Sequence, residues 1–102
     1  MLRLSLLLGW VLLASACGPI QSTAWLIDAH KSIDEARSQN AEAFAVYEWT
    51  RATLYFDKAR EEAGYADYEQ AVDYAKKAHA AALKAVEQSK TSPAPLPEPG
   101  GP

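Results

Sequence analysis

The residue with the most evident chemistry is the single cysteine of the chain, Cys17, set in the order Leu13-Ala14-Ser15-Ala16-Cys17-Gly18. Small residues at Ala14, Ser15 and Ala16 leave the preceding backbone open to a peptidase. The thiol is the one nucleophile there able to carry a thioether-linked diacylglycerol. A lone unpaired thiol exposed in an oxidising compartment would be a liability, and acylation removes it. The other groups that could do chemistry are sparse. His30 and Asp34 lie four apart on one helical face and could share a metal, but two ligands do not complete a tetrahedral site. The acid pairs Asp34-Glu35 and Glu61-Glu62 are sequence neighbours, which on a helix point about 100° apart and cannot flank a scissile bond. No glycine-rich phosphate loop and no nucleophile elbow is present. The expectation is a non-enzyme with no catalytic residue, no metal site and no bound cofactor beyond a covalent lipid at Cys17.

The segment before Cys17 must deliver it to that chemistry. Met1 and Arg3 supply positive charge, and Leu4 to Ala16 is apolar except for Ser5, Gly9 and Ser15, the layout of an export signal. As a helix this stretch would extend about 20 Å, short of the roughly 30 Å hydrocarbon core of a bilayer, so a cleaved leader is expected in preference to a permanent span. The pattern resembles the bacterial lipobox, with Ala14 where leucine is commonest. That resemblance implies cleavage before Cys17, an S-diacylglycerol on its sulfur and an acyl chain such as palmitate on its amine. Two or more chains give stable anchoring. It further implies outer-membrane residence on the periplasmic side, since Gly18 is not the aspartate that favours retention in the inner membrane; another cell-envelope membrane is the alternative.

Cleavage would leave 86 residues, enough for one small domain and a tail. They carry nine Lys and Arg against thirteen Asp and Glu. A phosphate-binding surface needs a basic excess, so nucleic acid is excluded as a partner. The expected organisation is a lipoprotein signal peptide over 1–16, a lipidated linker over 17–22, a helical domain over 23–90 and a Pro/Gly-rich disordered tail over 91–102. Five of the six prolines fall between Pro93 and Pro102, which favours polyproline-II or disordered backbone.

Between Thr23 and Lys90 there is no proline and one glycine, and helix is the expected state. Leu26, Ala29, Ile33, Ala36, Asn40, Ala43 and Tyr47 form one stripe at steps of three and four, with Ser22 or Thr23 as its cap. Trp49, Ala52, Phe56, Ala59 and Ala63 form a second, followed by Gly64 as the expected left-handed exit. Tyr68, Ala71, Ala75, Ala78, Ala82 and Ala85 form a third, flanked by Val72, Leu83 and Val86. Asp67 caps it, with Gln70 three residues on completing a capping-box-like pair. The fold class is therefore all-α, an antiparallel helical hairpin or small three-helix bundle after a cleaved signal peptide. The chain either breaks between Asn40 and Val46 or runs on as one long helix. Alanine supplies little apolar area, so Trp25, Trp49, Tyr55, Phe56, Tyr65, Tyr68 and Tyr74 are expected to fill the core from facing helices. Charges at Asp34 with Arg37, Glu48 with Arg51, and Asp73 with Lys76 and Lys77 are expected to pair on helix surfaces.

The segments Tyr47-Glu48-Trp49-Thr50-Arg51-Ala52 and Lys58 to Tyr68 resemble the domain-of-unknown-function 4398 family of bacterial envelope lipoproteins. The resemblance implies an export signal followed by an Ala-rich helical body. The functional expectation is an anchored structural or adaptor component that meets the membrane through its lipid. Its partner would be another envelope protein or a second copy in a coiled coil, with Asn40 setting the register. The alternative is a binding module for a small apolar or cell-wall ligand in an inter-helix aromatic pocket.

Overall fold

The computed structural model describes residues 2–92, with side chains for residues 2–10 and 18–92; the side chain of Cys17 and the expected tail over 93–102 lie outside the described residues. The described residues form four helices and no strand: α1 (Leu2–Ser38), α2 (Ala41–Phe44), α3 (Val46–Gly64) and α4 (Tyr68–Thr91).

Partners along the chain fix the topology. Going up α1, Gly18 meets Tyr68, Trp25 meets Lys76 and His79, and Ser32 meets His79, so α1 and α4 run parallel. Arg37 lies over Trp49 and His30 stacks on Phe56, so α3 runs back between them in the opposite sense. The result is an up-down-up three-helix bundle. Helix α4 packs along both other long helices, whereas α1 and α3 meet each other over a much smaller surface.

The chain breaks after Ser38. Asn40 takes a left-handed conformation (φ 59°, ψ 37°), which asparagine tolerates, and its N–H closes on the Arg37 carbonyl. Asn40 therefore lies between helices and cannot set the register of a continuous coiled coil. The break also moves the buried stripe by one position. Ala29, Ile33 and Ala36 are buried as expected, and so is Ala52 of the second stripe, but Asn40 and Tyr47 are exposed and Ala41, Ala45 and Glu48 turn inward instead.

At the second turn the left-handed residue is Ala66 (φ 61°), while the expected Gly64 is the last residue of α3. The Ala66 N–H bonds the Ala63 carbonyl (3.0 Å) and the Asp67 N–H bonds the Glu62 carbonyl (2.9 Å), the paired bonds that close a helix around one left-handed residue. These bonds require the left-handed residue two positions beyond the helix, which places the strain on Ala66. Asp67 caps α4 by accepting from the Gln70 N–H (3.3 Å). Its own N–H is already held by Glu62, so the Gln70 side chain is not needed to complete a capping box.

Apart from Ile33, Val72 and Val86, every buried hydrophobic residue described is alanine, and no side chain bulkier than Ser22 is completely withdrawn from solvent. The aromatics expected in the core sit at its edges. Trp49 and Phe56 pack against the alanines from the side, Tyr65 is 77% exposed, and Leu83 is 47% exposed. Small side chains let the helix backbones approach closely, which leaves no room between the axes for a ring. Alanine also loses no rotamer freedom on burial, which offsets its small apolar area.

One polar contact crosses this seam. The buried Ser32 hydroxyl donates to the Ala29 carbonyl (3.0 Å), leaving Oγ to accept from His79 Nδ1 (3.0 Å) in the tautomer that carries the proton there. Trp25 meets the same imidazole edge-on at 6.1 Å between centroids. Ser32→Ala and His79→Ala should each lower stability by about 1 kcal/mol, with a coupling of at least about 0.5 kcal/mol in a urea double-mutant cycle. Strict additivity would show that the bond contributes nothing to holding α1 on α4.

Candidate functional site

Three regions of the bundle have the exposure and chemistry to do work: the end where α1 enters, the outer face of α3 with α4, and the open side between α1 and α3.

At the first, α1 continues without interruption from residues 2–16 through 17–22, so the segment expected as a linker is helical. A Cβ placed on Gly18 would lie 3.4 Å from Tyr68 Cδ2, and Ser22 is buried, so α1 is packed into the bundle from the residue after Cys17. Tyr68 is the first residue of α4, and the α1 segment before Gly18 therefore runs out past the bundle. Leu2, Leu4, Leu6, Leu7, Leu8 and Trp10 on that arm are all exposed. A contiguous exposed apolar surface of this kind marks a segment that meets another apolar surface. No helix among the described residues is long and apolar enough to cross a membrane. Thr23, expected to start the helix, lies within α1, where its Oγ1 donates to the Pro19 carbonyl (2.9 Å). Pro19 is also inside α1. A proline there removes one backbone hydrogen bond and crowds the preceding turn; in the first turn of a helix that began at Cys17 it would cost nothing.

On the second face, cations and rings alternate. Arg51 lies over Tyr47 and Tyr55 (5.6 Å each), Tyr55 stacks on Tyr74 (6.0 Å), and Lys77 lies over both of those tyrosines (5.7 Å each). A side-chain hydrogen bond with Tyr55, and less strongly the Glu48 carboxylate, raise the Arg51 pKa above its ordinary value, against some desolvation. Glu48 and Arg51 form the expected pair (3.3 Å), as do Asp34 and Arg37 (2.7 Å). Lys76 and Lys77, expected beside Asp73, are directed to rings instead, Lys76 over Trp25 at 5.2 Å. A cation over a ring face keeps its charge solvated on one side while covering apolar surface; the pairs Arg51 with Tyr47 and Tyr55 and Lys77 with Tyr74 lie within one helical turn, whereas those of Lys76 with Trp25 and Lys77 with Tyr55 cross between helices. Tyr47 and Leu54 stand exposed seven residues apart on one outward face of α3, and Tyr65, the residue after its end, is exposed as well.

On the third, His30 stacks on Phe56 (5.8 Å) with its Nε2 3.3 Å from Asp34 Oδ2, and Arg60 covers Phe56 from 5.9 Å. Leu26, Ile27 and Phe56 line an open groove of about 330 Å³ with His30, Lys31 and Arg60 around it. His30 and Asp34 are thus brought together as an exposed pair, and no cluster of three or more metal-ligating side chains occurs among the described residues.

A family model described as "Domain of unknown function (DUF4398)" matches residues 24–94, which takes in the bundle from the middle of α1 onward. No curated protein and no solved structure matches the chain.

Proposed function

We propose that this chain, which belongs to the DUF4398 family, is a bacterial envelope lipoprotein. In this reading it is cleaved before Cys17 and acylated there on sulfur and amine. It is held on the periplasmic side of the outer membrane, and it acts without catalysis as a structural or adaptor component. The observation that carries this reading is the closeness of the cysteine to the packed body: Gly18 rests on Tyr68 one residue after it and Ser22 is already buried. An acylated Cys17 would hold the α3–α4 turn next to the membrane and direct the long faces of α3 and α4 into the periplasm. The Leu-rich arm supports the same reading, because a leader is removed on maturation and its exposed apolar surface goes with it. Pro19 would then fall in the first turn of the mature helix.

The exposed surface at Tyr47, Leu54 and Tyr65 is the one offered for a partner, either another envelope protein or a second copy. A photoreactive amino acid at Leu54 in the full chain should give one discrete adduct in living cells, and the same group at Lys84 on α4 should give none. Equal, diffuse labelling from both positions would count against an adaptor.

A further inference from the structure

We propose that the groove between α1 and α3 binds a single-chain anionic amphiphile of the fatty-acid class. This inference concerns the helical body and stands whether or not Cys17 is acylated.

The groove exists because α1 and α3 are each packed on α4 but meet one another over little surface. Leu26, Ile27 and Phe56 form its apolar wall, and Ile27 is 49% exposed with no helix over it. The ionisable residues that line it are all basic: His30, Lys31 and Arg60. Asp34, one helical turn from His30, is already engaged by His30 (3.3 Å) and Arg37 (2.7 Å). An occupant must therefore bring an apolar body and a negative head. A volume of about 330 Å³ lies at the low end of small-molecule sites, which suits one chain and not two. The groove makes almost no directional polar demand on its walls, as an alkyl chain requires, while Lys31 and Arg60 can hold a carboxylate at the rim by charge-assisted hydrogen bonds. A second groove of about 310 Å³, between the start of α4 and Gly18, is lined by Glu69 and Asp73 and would repel the same head group. The sign of charge thus assigns the ligand to the α1–α3 side.

The test uses the full chain held in a non-ionic amphipol, with dansyl-labelled undecanoate as the probe and its methyl ester as the uncharged control. Tryptophan-to-dansyl energy transfer is read against amphipol alone. Saturable transfer is expected for the acid, and Lys31→Glu with Arg60→Glu should weaken it at least about tenfold while changing the ester by less than about twofold. Both residues are exposed, so the fold should survive, and helicity by circular dichroism checks this. Ile27→Phe, which narrows the groove without altering charge or adding a tryptophan donor, should weaken acid and ester alike. Absence of saturable transfer, or acid binding indifferent to both sets of changes, would overturn the proposal. Membrane fractionation of the native protein would be unaffected by that failure, which separates this result from the fate of the tethering role.

Discussion

Cys17→Ala should abolish incorporation of a metabolically supplied alkyne-palmitate and remove the protein from the outer-membrane fraction. It should also abolish the response to globomycin, an inhibitor of the lipoprotein signal peptidase, the uncleaved chain being present with or without the drug. If the proposed acylation is the membrane attachment, the effect should be near total. Burial of an acyl chain contributes about 0.8 kcal/mol per methylene, and two or more chains turn marginal, reversible binding into stable attachment. Without them, only the apolar stretch before residue 17 remains, about 20 Å long as a helix, against a core of roughly 30 Å. Persistence of the label in the variant, or its absence from the native protein, would remove the basis for placing this bundle on a membrane. Because Gly18 packs on Tyr68 and Ser22 is buried in the body that follows, the variant should keep its helicity and its cooperative unfolding.

The second large effect concerns the alanine seam. Ala82→Leu should destabilise the bundle by about 3 kcal/mol, the upper part of the range for overpacking, whereas Ala80→Leu two residues away should change it by less than about 0.5 kcal/mol. Ala82 is fully buried beside Ile33, Ala52 and Ala81, where all three long helices converge; Ala80 faces solvent on the same helix. The two substitutions have the same helix propensity and the same added volume, so their difference isolates the distance between helices. A domain this small holds only several kcal/mol in total, and the first variant should lose much of its folded population near growth temperature. Thermal and urea unfolding followed by circular dichroism would measure both. A Tm raised by Ala82→Leu would mean that the helices do not pack closely at the alanines and that the edge aromatics carry the core.

Several features were legible from local pattern alone. The stripes over Ala29 to Ala36, Ala52 to Ala63 and Ala71 to Ala85 mark the faces that turn inward, because a 3.6-residue period needs no knowledge of the partner. Asp67 is a cap for a reason contained within four residues. The ion pairs Asp34–Arg37 and Glu48–Arg51 lie within one turn and follow from spacing. Lys76 and Lys77 did not follow it, since they are drawn to rings, Trp25 and Tyr55 on other helices and, for Lys77, Tyr74 on its own. Nothing in the sequence pointed to Ser32 with His79, 47 residues apart, until α1 and α4 were known to run parallel. The groove at Phe56 was equally hidden, since it arises from two helices failing to meet.

By itself, the sequence determined an all-helical body, most of the inward faces of its helices and the turn at Asp67. Only the tertiary structure decided that α1 lies parallel to α4, that Asn40 and Ala66 carry the left-handed turns, and that the rings surround an alanine core. The reason lies in range. Helix period and capping are settled by hydrogen bonds three or four residues long, whereas burial of a ring depends on how near two backbones come, and the small residues of all three helices together set that separation.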